Sequence, residues 1–145
     1  MAPHLRAAIL TVGMALAAAA AMPAAAQDRA QQVAWCINAT NTYSLDLQIG
    51  GCTALIQSGT LNASDLASAF SNRGIVYYAQ KDYPRAIADF NEAIRLNPQY
   101  AFAFNNRGAA YQVVGDYTHA IADFSEAIRL NPQHANSFYN RGIDY

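Results

Sequence analysis

The sequence predicts an all-α, right-handed solenoid of about two and a half to three stacked helical hairpins. The first observation is a duplication, because residues 67–100 and 101–134 are identical at 22 of 34 positions without a gap. The second is that apolar residues recur every three or four positions in both halves of each unit, which is the spacing of a helix face. The third is that Gly115 and two Asn-Pro pairs interrupt this spacing where one helix should end.

Residues 1–26 are predicted to be a cleaved secretory signal peptide. A short start containing Arg6 is followed by an uncharged stretch over 7–21 and by small residues up to Ala26. The uncharged stretch is shorter than the roughly 20 residues of a membrane-spanning helix. We expect a bacterial export signal, cleavage after Ala26, and a periplasmic or secreted mature protein that does not remain in the membrane. An uncleaved membrane anchor is the alternative.

Each full unit should contain two helices, and a third unit begins before the sequence ends. The predicted helices are 68–80 and 84–96, then 102–114 and 118–130, and one more from 136 onward. Residues 135–145 form this partial unit, and its helix should cap the stack. Because no second helix covers its apolar residues, we expect weak self-association through this C-terminal end.

Seven residue types recur at one spacing in both full units. They are Phe70, Gly74, Tyr77, Ala86, Phe90, Ala93 and Pro98, repeated as Phe104, Gly108, Tyr111, Ala120, Phe124, Ala127 and Pro132. This pattern resembles the tetratricopeptide repeat, of a secreted bacterial type. The resemblance implies antiparallel helix pairs in which the first helices line a concave groove. Two positions depart from the family pattern: Arg73 and Arg107 replace the usual Leu, and Lys81 replaces the turn Gly found at Gly115.

Residues 27–60 are predicted to be a degenerate first repeat, and 61–66 to be a linker. The stretch around Ile49 aligns with the second helix of a repeat when Ile49 matches Ile87. In this register the only two cysteines of the chain oppose each other across a helical hairpin.

We therefore predict a disulfide between Cys36 and Cys52, because oxidised cysteine pairs are typical of exported proteins. Two buried free thiols are the alternative interpretation.

Composition disfavours nucleic-acid binding, metal binding and catalysis. Nine Lys and Arg against ten Asp and Glu, spread singly, leave no basic patch for phosphates. His4, His119 and His134 share no metal-ligand spacing with each other or with the cysteines. The acidic residues recur with the repeat, as expected for structure or a repeated surface. We predict no enzyme activity, no cofactor and no metal.

An Asn-Arg-Gly triplet recurs in all three units and supplies the candidate ion pairs. We predict that Arg73 pairs with Asp89 and that Arg107 pairs with Asp123 on the following helix, with the arginine stems packed in place of Leu. In the alternative, these arginines reach the groove and meet an acidic partner.

The asparagines of the triplet, Asn72, Asn106 and Asn140, are the candidate partner-binding residues. Their recurrence resembles repeat arrays in which an asparagine ladder holds a peptide backbone. In the alternative, they bond to neighbouring helix ends and stabilise the stack. Apolar contacts to the partner are assigned to Tyr78, Phe102 and Tyr139. The predicted groove also contains Ser68, Ser71, Ile75, Ala79, Asn105, Ala109, Gln112, Val113, Asn136 and Ile143.

These observations predict a non-catalytic adaptor or scaffold that binds a protein or an extended peptide in its groove. The groove lacks the lysine clamp with which some family members hold a C-terminal carboxylate, since Ser71, Asn105 and Tyr139 occupy the first lysine's position. Two alternatives are a self-associating structural scaffold and an accessory subunit, or shortened relative, of an envelope enzyme or export assembly.

Overall fold

A computed structural model describes residues 24–38 and 42–133, which form six helices and no strand. The helices are α1 (Ala24–Ile37), α2 (Leu45–Gln57), α3 (Ala63–Ala79), α4 (Tyr83–Leu96), α5 (Ala101–Val113) and α6 (Tyr117–Leu130). The predicted all-α fold is confirmed. The predicted capping helix from 136, and all but the last three residues of the predicted signal peptide, lie outside the described residues.

The helices pack as three successive hairpins, α1 with α2, α3 with α4, and α5 with α6. The second helix of one hairpin packs against the first helix of the next, since α2 contacts α3 and α4 contacts α5. The first helices also contact in order, α1 with α3 and α3 with α5. The three first helices therefore lie side by side on one surface, which is the arrangement predicted for a helical-hairpin solenoid.

The predicted linker over 61–66 is wrong for most of its length, because α3 already begins at Ala63. Asn62 caps the helix: its Oδ1 accepts a hydrogen bond from the Asp65 backbone N–H at 2.8 Å, and its Nδ2 donates to the Asp65 carboxylate at 2.8 Å. These bonds satisfy a backbone donor that the first turn of a helix would leave unpaired. The cap thus adds more than a turn to the predicted helix.

The two full hairpins turn through the same backbone conformation. Lys81 and Gly115 have φ angles of 62° and 82°, both in the left-handed region. In each turn the next residue is an aspartate, Asp82 or Asp116. Its backbone N–H donates to a carbonyl oxygen in the last turns of the preceding helix, and its side chain caps the helix that follows. A side chain in this conformation costs about 1 kcal/mol relative to glycine, and Lys81 carries that cost.

Close approach within each full hairpin depends on a glycine opposite a phenylalanine. A Cβ placed on Gly74 would lie 2.8 Å from Cε1 of Phe90, and a Cβ placed on Gly108 would lie 2.8 Å from Cε1 of Phe124. Both phenylalanines are completely buried. Any side chain larger than glycine would therefore force the ring or its surroundings to shift.

The first hairpin has a disulfide at the same place. Cys36 and Cys52 are 16 residues apart, as Gly74 and Phe90 are, and their sulfur atoms are bonded at 2.07 Å. Both cysteines are buried. A covalent bond thus replaces the glycine–phenylalanine contact of the full repeats, and it joins α1 to α2.

The position before each cysteine also differs from the full repeats. Trp35 and Gly51 stand where Arg73 and Asp89 stand in the next hairpin. A Cβ placed on Gly51 would lie 2.7 Å from the Cβ of Trp35 and 2.8 Å from the carbonyl oxygen of Gln32. The α1–α2 hairpin therefore keeps the architecture of a repeat while both of these cross-helix pairs are replaced.

Candidate functional site

The surface that corresponds to the predicted groove, here called the inner face, is the side on which α1, α3 and α5 lie next to one another. Within the described part of the chain, no helix is long and apolar enough to cross a bilayer. Residues 24–38 and 42–133 also contain no group of three or more His, Cys, Asp and Glu side chains that could hold a metal ion.

Arg73 connects three helices. Its Nε and Nη2 donate to the two carboxylate oxygens of Asp89 on α4, both at 2.8 Å, and its Nη1 donates to Oγ1 of Thr53 on α2 at 3.0 Å. The hydrogen bonds to Asp89 raise the pKa of Arg73 above its ordinary value, against the opposing effect of burial. This bidentate pair is the strong form of a charge-assisted hydrogen bond.

Arg107 makes the equivalent contacts one repeat later. It donates twice to Asp123 at 2.7 Å, and its Nη1 donates to Oδ1 of Asn91 on α4 at 2.6 Å. Burial lowers the pKa of Arg107, but the hydrogen bonds and charge of Asp123 outweigh it, so the pKa is raised. Each arginine therefore bonds within its own hairpin and to the preceding one, and both guanidinium groups are engaged inside the stack.

Asn72 and Asn106 have no such partners. Both are half-buried, and neither side chain makes a hydrogen bond within the residues that the structure describes. Nδ2 of Asn106 is buried and unpaired. Five other asparagines each use Oδ1 as an acceptor, namely Asn38, Asn62, Asn91, Asn97 and Asn131. A buried amide nitrogen without a partner costs about 1–3 kcal/mol, and among the two asparagines this cost falls on Asn106. Asn140 lies outside the described residues.

The aromatic candidates differ in how much surface they offer. Phe102 is 41% exposed, and its ring centroid lies 6.3 Å from that of Tyr100. Tyr78 is half-buried and makes an edge contact with Tyr83 at 5.4 Å; burial and the neighbouring Tyr83 raise the pKa of its hydroxyl. Phe102 is therefore the more available apolar surface. Tyr139 lies outside the described residues.

The assignment of Ser71 and Asn105 to the groove is wrong, because both residues are buried. Ser71 lies three residues before Gly74, and Asn105 three residues before Gly108, so each shares the helix stripe that packs against the second helix. Ser71 is completely enclosed, and its Oγ has no hydrogen-bond partner. The predicted groove residues Asn136 and Ile143 lie outside the described residues.

A pocket of about 260 Å³ opens at the start of the inner face, between α1 and α3. Its lining is mainly apolar, and its polar members, here called the rim, are Arg29, Asp65, Ser68 and Asn72. Sequence reasoning missed the α1 side of this pocket, although a signal was available. If Cys36 is aligned with Gly74, then Ile37 of α1 matches Ile75, which was assigned to the groove.

The stacked hairpins and their inner face define a helical-repeat protein. The tetratricopeptide repeat family model matches residues 67–100 and 101–134, the same two units found by duplication. Residues 67–134 are therefore two adjacent repeats of the tetratricopeptide repeat family, as predicted, while the secreted bacterial type stays a prediction. No curated protein sequence matches the chain significantly.

Solved structures of tetratricopeptide repeat domains have the same fold. The second such domain of human RPAP3, in complex with the HSP70 peptide SGPTIEEVD, is 22% identical, covers 82% of this chain and 96% of its own, and has a TM-score of 0.71. The domain of Arabidopsis OM64 is 20% identical over 83% and 93% of the two chains, with a TM-score of 0.69. The first repeat domain of Spaghetti (RPAP3), bound to the HSP90 peptide SRMEEVD, is 21% identical over 83% and 89%, with a TM-score of 0.68.

Proposed function

We propose that this chain is a non-catalytic peptide-binding module whose inner face holds an extended segment of a partner protein. The observation that carries this proposal is that the side chains of Asn72 and Asn106, at equivalent positions one repeat apart, make no hydrogen bond within the described residues. An asparagine amide can both donate to and accept from a peptide backbone. Repeated stacking sets such amides in a row along the array.

The alternative role for these asparagines, as bonds to neighbouring helix ends, has no hydrogen bond to support it in the described residues. That structural task is already performed by Arg73 and Arg107, which reach the preceding hairpin through Thr53 and Asn91. The asparagine beside each arginine is thus free to serve a different purpose. Asn140 of the third triplet would extend the row.

Two of the similar structures hold peptides, from HSP70 in one protein and from HSP90 in another, which supports a peptide site on the same fold here. Two residues of α3 and α5 favour a different peptide class. Ser71 and Asn105 replace the first lysine of a carboxylate clamp, and both are buried. We therefore infer an internal, extended segment as the ligand rather than a strongly acidic C-terminal tail.

We also propose that the protein acts in the periplasm or outside the cell. The signal-like segment over 1–26 and the Cys36–Cys52 disulfide support this, because stable disulfides persist in oxidising compartments. Cell fractionation together with mass measurement of the mature N-terminus tests the location. A mature chain beginning at Gln27 in the envelope fraction is the expected result, and an intact Met1 in the cytoplasm would contradict it.

Peptide binding can be tested without knowing the partner. The mature protein is used to select from a displayed library of random nonapeptides, in parallel with a variant in which Asn72 and Asn106 are both alanine. Enrichment of one or more peptide classes on the wild-type protein, lost on the variant, is expected. Equal enrichment on both proteins would show that the two asparagines are not part of the peptide site. No enrichment on the wild-type protein would contradict the peptide-binding function.

Self-association through the C-terminal end, which involves residues outside the described part, stays a prediction. Light scattering coupled to size exclusion tests it: a mass that rises with concentration supports a self-associating scaffold, and a constant monomer mass contradicts it.

A further inference from the structure

The pocket between α1 and α3 differs from the rest of the inner face because it is an open recess with mainly apolar walls. Val33 and Ile37 contribute from α1, Ala69 from α3, Leu55 from α2 and Leu61 from the segment before α3. Its volume of about 260 Å³ is below the usual range for a whole small-molecule ligand. A recess of this size suits a single side chain.

We propose that this pocket receives one unbranched or branched aliphatic side chain, Leu, Ile or Met, of the bound peptide, with an acidic residue next to it in the peptide sequence. This inference rests on the proposed function and adds a specificity site to it. Apolar walls penalise the transfer of a charged or polar side chain from water unless a partner is present, and most of the pocket lining is apolar. Moving an aliphatic side chain into the pocket is favourable, because it removes apolar surface from contact with water.

The acidic neighbour is inferred from Arg29 on the pocket rim. Arg29 is exposed and makes no ion pair with a described residue. The other arginines whose side chains are described all bind a carboxylate: Arg73, Arg85, Arg95, Arg107 and Arg129. Arg29 is thus the one arginine of the described residues that can pair with a carboxylate from outside.

The other polar residues of the rim fix where the peptide backbone would run. Asp65 is already bonded to Asn62, and Ser68 donates its hydroxyl to the carbonyl oxygen of Ser64 at 3.0 Å. Asn72 is unpaired and also lines the pocket. Because Asn72 and Arg29 line the same pocket, a peptide whose backbone bonds to the Asn72 amide would bring neighbouring side chains to the pocket and to Arg29.

The second repeat suggests a substitution that fills the pocket without disturbing the fold. Ser68 lines the pocket, and the equivalent residue of the next repeat is Phe102, which is accommodated on α5. Ser68→Phe should therefore keep the helix and occupy the recess. Tyr117→Ala is the control, because Tyr117 is exposed on α6, outside the predicted groove, and does not line the pocket.

The random nonapeptide library and a peptide selected from it provide the test. Wild-type protein is expected to enrich an aliphatic residue beside Asp or Glu. Ser68→Phe should abolish that enrichment and weaken the selected peptide at least tenfold, while Tyr117→Ala changes its affinity less than threefold. Arg29→Glu should weaken the peptide about tenfold, and a peptide with Lys in place of its acidic residue should recover most of this loss.

Thermal melting checks that Ser68→Phe is folded, and Arg29→Glu lies on the surface, so at least one variant reports on binding alone. Enriched peptides without the aliphatic–acidic pair, or unchanged affinity in both variants, would overturn the pocket while leaving the peptide-binding function intact. A wild-type protein that enriches nothing would overturn both.

Discussion

Arg73 donates two hydrogen bonds to Asp89, each 2.8 Å long, across the interface of α3 and α4. The pair is mostly buried, so removing one partner leaves a charge without its counterion. We predict that Asp89→Ala destabilises the protein by about 3 kcal/mol. The double variant Arg73→Leu and Asp89→Ala should recover most of that loss, because Leu is the usual residue there. Urea unfolding of both variants measures this, and equal losses would show that the pair, rather than the orphaned charge, is responsible.

The disulfide can be compared directly with the contact that it replaces. Replacing Cys36 and Cys52 by serine should lower the free energy of unfolding by roughly 3 kcal/mol, as expected for a loop of this length. Replacing them by glycine and phenylalanine, the residues at the equivalent positions Gly74 and Phe90, should lower it less. Denaturant unfolding of the two variants decides, and a glycine–phenylalanine variant no more stable than the serine variant would contradict the equivalence.

The backbone of Lys81 lies in the left-handed region, which lowers the stability of the folded protein relative to glycine at this position. Lys81→Gly should stabilise the protein by about 0.5–1 kcal/mol, because its φ of 62° strains a residue with a side chain. The opposite change at the equivalent turn, Gly115→Lys, should destabilise by a similar amount. Melting temperatures of the two variants should move in opposite directions, and a shift of the same sign would show that the turns are not equivalent.

The aspartate caps make stability depend on acid pH. The side-chain and backbone hydrogen bonds from Arg85 lower the pKa of Asp82 below its ordinary value of 3.8, and those from His119 lower the pKa of Asp116 in the same way. The unfolded chain therefore binds more protons near this pH. The stabilisation is complete above about pH 5, begins to fall near pH 4, and is lost as the pH drops through the lowered pKa values.

A variant with asparagine at both positions tests this, because asparagine also caps helices but does not titrate. Its melting temperature should fall less steeply than that of the wild type between pH 5 and pH 3. If the melting temperatures of the two proteins fall equally with pH, the loss of stability in acid is caused by other carboxylates.

Duplication predicted much of the fold and part of the site. The recurrence of Arg and Asp in 67–100 and 101–134 placed Arg73 opposite Asp89 and Arg107 opposite Asp123, because equivalent residues in stacked repeats meet equivalent partners. It could not predict the start of α3, which is set by a local cap at Asn62. Nor could it predict the burial of Ser71, since membership of a helix face depends on which neighbours pack there.

The pocket was missed for a similar reason. Its α1 wall belongs to a hairpin whose sequence no longer matches the repeat, because Trp35 and Cys36 replace Arg and Gly. Only the packing of α1 against α3 brings Arg29 and Val33 next to Asn72. The repeat pattern of the sequence cannot identify pocket residues in a hairpin whose sequence no longer follows that pattern.

The central claim is that Asn72, Asn106 and Asn140 bind a partner's backbone, and one variant with alanine at all three positions tests it most directly. Its affinity for a library-selected peptide and its melting temperature are measured on the same sample. If each amide contributes about 1 kcal/mol, the affinity should fall roughly a hundredfold while the melting temperature stays within a few degrees. A lowered melting temperature with unchanged affinity per folded molecule would contradict the claim and assign the asparagines to the stability of the stack.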